Sequence, residues 1–454
     1  MLGFIGNVLS SAGLRLFVLG AGIGNGARLA LAGLKATHAP GGFRKNLALL
    51  LADPLRQRQV LATLRGFAPN LSLKRKLVAS YNNTGTVIVT RRADVMDVLR
   101  RDDDFAVVYG PRMQELTAGA NFFLGMQPSW DYTRDTSAMR LAMQHTDVAE
   151  RVAPRAADLA HSVVAQSGGV IDLPPALTRH IPWDMVADYF GTPGPNPETM
   201  QRWTTRLFWY LFGDLGADPH LHEQAMKDAE GLRNYLDTAI AERKASGAKI
   251  DDVLGRCLVL QAAGTPGTDD LGIRNNLLGL VIGAIPTISK ATCLAMDELM
   301  RRPDVLRRAR TAALMDDPGK LAGFVWEALR FNPHNPILYR RATRDTVIAP
   351  GTLRQVTVRK GQMVFAATLS AMFDPYDIDA PELFRTSRPF SDQIIWGTGM
   401  HTCFGAVINA AVIPAILKPL LAQNGLRRAG GAEGQIQTAG TPFPEHFVLH
   451  FDPE

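Results

Sequence analysis

Apolar side chains recur every three to four residues through most of the segment between residues 90 and 330, which is the period of an amphipathic helix. The strongest of these patterns predict helices at Val148 to Gln166, Pro197 to Gly213, His220 to Ala245 and Asn275 to Arg301. Runs with the composition of strands are few and short, and they lie at Thr86 to Thr90, Val356 to Arg359, Met363 to Ala367 and His446 to Phe451. Helices and strands do not alternate, which disfavours a doubly wound sheet. The pattern predicts a mainly α chain with small β-sheets (α+β).

The first forty residues differ from the rest of the chain. No Asp or Glu occurs between Met1 and Ala52, and the basic residues of that stretch are Arg15, Arg28, Lys35, Arg44 and Lys45. The apolar run from Leu16 to Ala27 is shorter than the roughly 20 residues that a membrane-spanning helix needs, so we expect it not to span a bilayer. It is either a packed terminal helix or a segment that lies on a membrane surface. We therefore divide the chain into an N-terminal apolar and basic segment, residues 1–40, and one large domain, residues 41–454.

Composition narrows the classes of function. With 454 residues, 46% of them hydrophobic and 20% charged, the chain can build a core large enough to enclose a cofactor. The net charge of +6 is not gathered into a basic cluster, which argues against nucleic-acid binding. The cysteines, Cys257, Cys293 and Cys403, form no CxxC pair, so structural zinc and a disulfide framework are disfavoured and a reducing compartment is expected. No complete glycine-rich phosphate loop is present, so a redox reaction would draw its electrons from elsewhere.

Cys403 stands in a loop whose neighbours indicate chemistry. The segment reads Trp396-Gly-Thr-Gly-Met-His-Thr-Cys-Phe-Gly405 and precedes an apolar stretch, Ala406 to Leu421, that has the pattern of a helix. Glycines on both sides of the cysteine permit a tight loop whose backbone can approach a flat ligand. Backbone N–H groups of such a loop, and the N-terminus of the helix after it, favour a thiolate over a thiol. His401 lies two residues before the cysteine, where its imidazole can donate a hydrogen bond to an anion.

This loop resembles the haem-binding signature of the cytochromes P450, which usually reads Phe-x-x-Gly-x-x-x-Cys-x-Gly. Gly399, Cys403 and Gly405 match that signature, and Trp396 stands in place of the Phe. The resemblance implies that Cys403 is the axial ligand of haem b (iron protoporphyrin IX), that His401 contacts a propionate and that Trp396 packs against the ring. A thiolate in the axial position pushes electron density onto the iron and favours cleavage of the O–O bond.

Three further motifs follow the order of the same family. Glu327 and Arg330 lie three residues apart in an apolar stretch, which predicts a buried pair on one side of a helix. They resemble the family's Glu-x-x-Arg helix, in which a later arginine, here Arg388, completes a structural group. Arg340 begins a segment that resembles the Arg-x-Ala-Thr strand, and Arg140 ends one that resembles the Glu-His-x-x-x-Arg helix without its His. The resemblance implies that Arg340 and Arg140 contact haem propionates.

The segment Gly283-Ala-Ile-Pro-Thr287 resembles the oxygen-handling part of the family's long central helix. Small residues at Gly283 and Ala284 leave room for oxygen and substrate, and Thr287 keeps the catalytic hydroxyl. The family's acidic residue is replaced by Pro286, which removes a backbone N–H, leaves the Ile282 carbonyl without its usual donor and kinks the helix. Without the acid, protons would pass through water and Thr287, or the enzyme would start from a peroxide.

The resemblance as a whole implies the P450 fold for residues 41–454 and a haem-thiolate monooxygenase. Such an enzyme would hydroxylate a hydrophobic small molecule with O₂ and with electrons from a ferredoxin or another electron-transfer protein. A peroxide-driven peroxygenase or hydroperoxide isomerase, and a non-catalytic haem-binding protein, stay open as alternatives. The expected substrate pocket is lined by Gly283, Ala284, Pro286, Ile337 and Leu338. We expect a cytoplasmic protein, with peripheral membrane contact through residues 1–40 as a further option.

Overall fold

The computed structural model of the protein describes residues 2–38, 42, 46, 50, 52–315 and 317–453. The described residues form two compact units. The first unit draws on residues 1–77, 82–106 and 330–400, and the second on residues 78–81, 107–329 and 401–454. Helices dominate and the strands are short, so the predicted fold class is confirmed.

The helices agree closely with the apolar periodicity. In chain order they are α1 Leu2–His38, α2 Pro54–Phe67, α3 Arg92–Arg100, α4 Gly110–Leu116, α5 Trp130–Ala142, α6 His145–Asp147, α7 Ala153–Gln166, α8 His180–Asp188, α9 Pro197–Phe208, α10 Pro219–Ser246, α11 Val253–Ala262, α12 Asp270–Met300, α13 Pro303–Ala313, α14 Pro318–Phe331, α15 Thr368–Ala371 and α16 Ala406–Leu421. Turns of π-helix lie at Val148–Val152, Pro174–Thr178 and Trp209–Gly213, and turns of 3₁₀-helix at Phe123–Gly125 and Phe390–Asp392. The four helices predicted from periodicity are present, and the helix after Cys403 matches its predicted bounds.

The strands are short and form small sheets. They are β1 Asn70–Leu73, β2 Thr86–Val89, β3 Phe105–Ala106, β4 Val170–Asp172, β5 Leu338–Ala342, β6 Thr346–Ile348, β7 Val356–Val358, β8 Met363–Ala366, β9 Arg427–Arg428 and β10 Val448–His450. In the first unit they form a five-stranded sheet in the order β1-β2-β8-β5-β3 and the pair β6-β7. In the second unit they form the sheet β4-β10-β9. The four strands predicted from sequence are present as β2, β7, β8 and β10, whereas others such as β4 and β9 were not predicted.

The core of the first unit lies against its five-stranded sheet. Strands β2 and β8 run parallel at the centre of that sheet, with Val87 opposite Val364. Every residue of β8 is buried, as expected for a strand covered on both faces. Helix α3 adds Val95 and Val98 to the same apolar cluster, and both side chains are fully buried. This unit therefore holds β5, which carries Arg340, in a rigid sheet.

The core of the second unit lies around α12, which has 31 residues. The Asp269 side chain caps its first turn by accepting a hydrogen bond from the Gly272 N–H. The helix contacts α8, α9, α10 and α16 of its unit, and it continues through Pro286 to Met300. Its length and its central place put Gly283 and Thr287 in the interior of the unit.

The N-terminal helix corrects one prediction. Helix α1 continues past Ala27 to His38, and its part Gly13–His38, with 26 residues, is long and apolar enough to cross a membrane. The expectation that this segment is too short to span a bilayer was therefore wrong. Helix α12 is also long and apolar enough to cross a membrane, but 72% of its most apolar window is buried, as in a core helix. Residues 1, 39, 40, 44 and 45 lie outside the described residues, and the division at residue 40 stays a prediction.

Candidate functional site

Cys403 lies at the entrance to α16 in the second unit. The Ala406 N–H donates to the Cys403 carbonyl (3.2 Å), which closes the turn that leads into the helix. The side-chain amide of Asn409, one turn into the helix, lies 3.9 Å from Cys403 Sγ. Burial raises the pKa of the Cys403 thiol, and the backbone N–H of Gly405 acts in the opposite direction. Burial has the larger effect, so the pKa of the thiol is raised, and the expectation that the loop favours a thiolate stays a prediction.

The side chains around the cysteine bring together two predicted haem contacts. The ring of His401 makes an edge contact with Tyr132 of α5, with the ring centroids 5.8 Å apart. The Arg140 guanidinium, from the end of the same helix, lies 5.8 Å from the centroid of the Phe404 ring. Helix α5 therefore places Arg140 beside the cysteine loop that carries His401. The sequence did not identify Tyr132 and Phe404 as residues of the site. Only their position close to the motif residues in the chain could have suggested that role.

The glycines before Cys403 are required by the backbone of the first unit. Gly397 and Gly399 have φ angles of +74° and +80°, a region that residues with a side chain rarely adopt. A Cβ on Gly399 would lie 2.4 Å from the Leu99 carbonyl oxygen. The Trp396 ring, at the start of the same loop, packs at a tilt on Phe390 with a centroid distance of 5.3 Å. The predicted tight loop is present, and its glycines are needed for close backbone packing.

One face of α12 remains partly accessible although the rest of the helix is buried. Between residues 275 and 299 the partly accessible positions are Leu280, Gly283, Ala284, Thr287, Lys290 and Leu294. Their spacing of three and four residues places them on one side of the helix. No atom lies within 4 Å of a Cβ built on Gly283, whereas one built on Gly279 would meet the Phe122 ring at 2.3 Å. This face, which we call the open face of α12, therefore borders free space beside Gly283.

Thr287 lies in the middle of the open face. Its hydroxyl donates to the Gly283 carbonyl four residues earlier. Its oxygen can still accept a hydrogen bond, because a hydroxyl has two lone pairs. Pro286 is buried, in contrast to Thr287, so it does not belong to the open face. That Pro286 lines the substrate pocket stays a prediction.

The remaining predicted contacts belong to the first unit. Arg340 is buried in β5, where its Nη1 donates to the neighbouring Tyr339 carbonyl (3.0 Å). It also lies close enough to Asp102 to lower the pKa of that carboxyl, although burial of Asp102 has the larger effect and raises it. Ile337 and Leu338 are partly buried against the apolar core of this unit. Arg340 is thus a charged side chain held inside a sheet.

The predicted structural arginines hold one loop of the first unit. Arg330, which is fully buried, donates to the carbonyl oxygens of Pro381 (2.8 Å), Leu383 (3.4 Å) and Met372 (3.0 Å). Arg388 donates to the carbonyl oxygens of Asp379 (3.0 Å), Ala380 (3.3 Å) and, like Arg330, Leu383 (3.1 Å). Both guanidinium groups therefore hold the backbone between residues 379 and 383. Glu327 is fully buried, as its apolar surroundings predicted.

The residues of the second unit fit a haem. A partly accessible thiol stands at a helix N-terminus, and an imidazole and a guanidinium lie on the same loop and the adjoining helix. Thiolate, with imidazole and arginine as further polar contacts, is a donor set that suits an iron porphyrin with two propionates. A flat cofactor or its substrate needs free space, and the structure has free space beside Gly283. Among the described residues, no cluster of three or more His, Cys, Asp or Glu side chains offers a different metal site.

Comparison with known proteins agrees with this geometry. A cytochrome P450 family model matches residues 79–408, and the chain therefore belongs to the cytochrome P450 family. Erythromycin C-12 hydroxylase of Saccharopolyspora erythraea is 28% identical over 274 residues, which cover 60% of this chain and 66% of that protein. Mycinamicin IV hydroxylase/epoxidase of Micromonospora griseorubida is 26% identical over 363 residues, covering 77% and 85%.

Solved structures show the same fold. The crystal structure of CalO2 has a TM-score of 0.73 at 19% identity and covers 89% of this chain and 98% of its own. The open form of EryK from S. erythraea has a TM-score of 0.73 at 23% identity and covers 89% and 98%. The protein is a cytochrome P450 monooxygenase of the bacterial type, and its cofactor is haem.

Proposed function

We propose that this monooxygenase hydroxylates a hydrophobic small molecule, with O₂ as the oxidant and electrons from a separate carrier protein such as a ferredoxin. The observation that carries the proposal is the open face of α12, which joins free space beside Gly283 to the Thr287 hydroxyl. Leu280, Ala284 and Leu294 make most of that face apolar. A mostly apolar wall suits a ligand that binds by its hydrophobic surface. Ile337 and Leu338 are proposed to add to the same lining.

The proposed cofactor is haem b, with Cys403 as its thiolate ligand. When bound, the haem supplies the activation of oxygen that a protein side chain cannot provide. His401, Arg140 and Arg340 are proposed to bind the propionates, for which guanidinium and imidazole N–H groups are suitable donors. Trp396 is proposed to pack against the ring. Glu327, Arg330 and Arg388 would keep the loop at residues 379–383 in place, which is a structural role.

Thr287 is proposed as the catalytic hydroxyl. Its hydroxyl donates a hydrogen bond to the Gly283 carbonyl, so its oxygen is oriented to accept a hydrogen bond from a water molecule or a protonated substrate group. Pro286 cannot supply a proton, because it has neither an acidic side chain nor a backbone N–H. Protons for the reaction would therefore arrive through water that Thr287 positions.

A peroxide-driven reaction is the second candidate, and two observations favour it. Pro286 replaces the acid, and a short part of the chain is similar to a protein named for a different reaction. The bifunctional dioxygenase–epoxy alcohol synthase of Fusarium oxysporum is 28% identical over 141 residues, which cover 31% of this chain and 11% of that protein. A peroxygenase or hydroperoxide isomerase would need no electron carrier. A haem-binding protein without catalysis is the third candidate.

Two measurements separate these functions. The reduced protein treated with carbon monoxide should show the red-shifted band of haem-thiolate proteins, and Cys403→Ala should abolish it. Product formation is then measured in two reaction mixtures. One contains ferredoxin, reductase and O₂, and the other contains hydrogen peroxide or a lipid hydroperoxide. Turnover with peroxide alone would rule out the O₂-dependent proposal, and haem binding without product in either regime would leave the non-catalytic one.

We further propose that the protein is cytoplasmic and that α1 attaches it to a membrane surface. The helix packs on α2 so closely that a Cβ on Gly66 would lie 3.1 Å from the Val18 carbonyl oxygen. The opposite side of α1 is apolar, with Leu16, Ile23 and Leu34 each more than half exposed. A helix that faces water normally carries polar residues there, whereas an exposed apolar face of this size marks an interaction surface.

The charges of α1 favour an anionic lipid surface. Arg15, Arg28 and Lys35 are exposed, and none of the residues from Leu2 to His38 is acidic. Binding to vesicles that contain an anionic lipid is the test, with neutral vesicles as the comparison. Replacing Leu16, Ile23 and Leu34 together by Ser should abolish sedimentation with the vesicles while the carbon monoxide band is retained. Unchanged sedimentation would contradict the proposal.

A further inference from the structure

The open face of α12 carries one charged residue, Lys290, which lies one helical turn after Thr287. Its side chain is only partly accessible, on a helix whose neighbouring positions are buried. Its Nζ lies 5.6 Å from the centroid of the Phe443 ring, within the range of a cation–π contact. Lysine is rarely enclosed in a protein interior unless it is paired. We therefore expect Lys290 to have a partner that stabilises its charge.

Within the described part of the chain, Lys290 forms no salt bridge. Burial lowers the pKa of Lys290 to about 8, and no carboxylate acts to raise it. Two enclosed arginines of the second unit differ in this respect, since Arg112 is paired with Asp214 (2.8 Å) and Arg243 with Asp252 (2.9 Å). An enclosed ammonium without a counter-charge is costly, and the Phe443 ring offsets only part of that cost. An anion from outside the chain would supply the rest.

A row of aromatic rings leads away from Lys290. Phe443 makes an edge contact with Phe208 (centroids 5.9 Å apart), and Phe208 packs on Phe212 (4.5 Å). Phe212 in turn meets Tyr109 (4.6 Å). The side chains of Tyr109, Phe208 and Phe212 remain partly accessible, so the row presents ring surface to a ligand and is not sealed in the core. All of these residues belong to the second unit.

We propose that the ammonium of Lys290 binds the carboxylate of an amphipathic substrate, whose apolar body lies along the aromatic row. This inference rests on the proposed function, because it names the class of hydrophobic molecule that the monooxygenase accepts: an acid with an alkyl or aromatic body. The pairing of one charge with an extended apolar wall would reject neutral compounds of the same shape, because their binding would leave the ammonium without an anion. Lys290 is thus a specificity-determining residue.

The test compares acids with their methyl esters, which keep the apolar body and remove the charge. Straight-chain acids of 12 to 16 carbons and arylalkanoic acids, each with its ester, are titrated into the haem-loaded protein, and binding is followed by the change in the haem spectrum and by the shift in melting temperature. Wild-type protein should bind at least one acid about tenfold or more tightly than its ester. Lys290→Met should remove that preference by weakening the acid and leaving the ester within about twofold.

Two matched variants complete the experiment. Lys227→Met removes an exposed lysine of the same unit, paired with Glu223, and should leave the preference for acids unchanged. Phe208→Leu should weaken an acid and its ester by the same factor, because it alters only the apolar wall. Equal binding of every acid and its ester by the wild type, or a preference that persists in Lys290→Met, would overturn the inference. The carbon monoxide band and turnover of a neutral compound report separately on the proposed function.

Discussion

Two glycines one turn apart on α12 allow the free space at the site to be measured by a single substitution. Alanine is favoured over glycine in a helix interior by about 1 kcal/mol, so Gly283→Ala and Gly279→Ala have the same intrinsic gain. At Gly283 the added methyl group meets no atom within 4 Å, and the gain should appear in full. We therefore expect Gly283→Ala to raise the free energy of unfolding by about 1 kcal/mol.

At Gly279 the same methyl group has no room. It would lie 2.3, 2.5 and 2.8 Å from three atoms of the Phe122 ring, and Phe122 is only 1% exposed, so the ring cannot turn towards solvent. Overpacking of a core costs about 1–3 kcal/mol, and displacement of a whole ring belongs to the upper part of that range. After the helix gain is subtracted, we expect Gly279→Ala to lower the free energy of unfolding by about 2 kcal/mol.

Urea unfolding followed by the helical circular dichroism signal measures both variants, provided that the slope with denaturant is unchanged. The two should differ by about 3 kcal/mol with opposite signs relative to wild type. The binding of bulky hydrophobic ligands gives the second readout, since Gly283→Ala should weaken it and Gly279→Ala should not. A Gly283 variant that is less stable than the Gly279 variant would refute the description of the open face, as would unaltered binding in Gly283→Val.

The remaining predictions concern the cysteine loop, the structural arginines and the catalytic hydroxyl. Gly399→Ala should cause loss of haem on purification, because its positive φ and the Leu99 carbonyl at 2.4 Å both oppose a side chain; Gly430→Ala, where a Cβ would meet no neighbouring atom within 4 Å, is the control and should retain haem. Arg330→Met should lower the free energy of unfolding by about 3 kcal/mol, since it leaves buried carbonyl oxygens without donors, and urea unfolding that is unchanged would contradict its structural role. Thr287→Ala should lower the amount of product per NADH consumed while Thr287→Ser preserves it, and equal yields from the two variants would argue against the catalytic hydroxyl.

Much of the fold could be predicted from the sequence, because the patterns that indicate helices and tight turns involve residues that are close together in the chain. The apolar pattern of sixteen residues predicts the helix Ala406–Leu421. The glycines before Cys403 indicate a backbone conformation that other residues avoid. The burial of Glu327 and Arg330 followed from their apolar neighbours along the same helix. These features depend on residues that are close in the chain, so a single sequence determines them.

The shared loop contacts of Arg330 and Arg388, by contrast, needed the tertiary structure, as did the contact of Arg140 with Phe404. The burial of Pro286 and the place of Lys290 on the open face likewise depend on the rotation of α12 within its unit. Helical periodicity gives the relative angles of residues on a helix, but only packing against other helices decides which side is left open. The sequence by itself determined the cysteine loop, the long helices and the family. The tertiary structure decided that Lys290 lies beside Phe443 and forms no salt bridge with any residue that the structure describes, because that depends on which side chains distant in sequence pack around it.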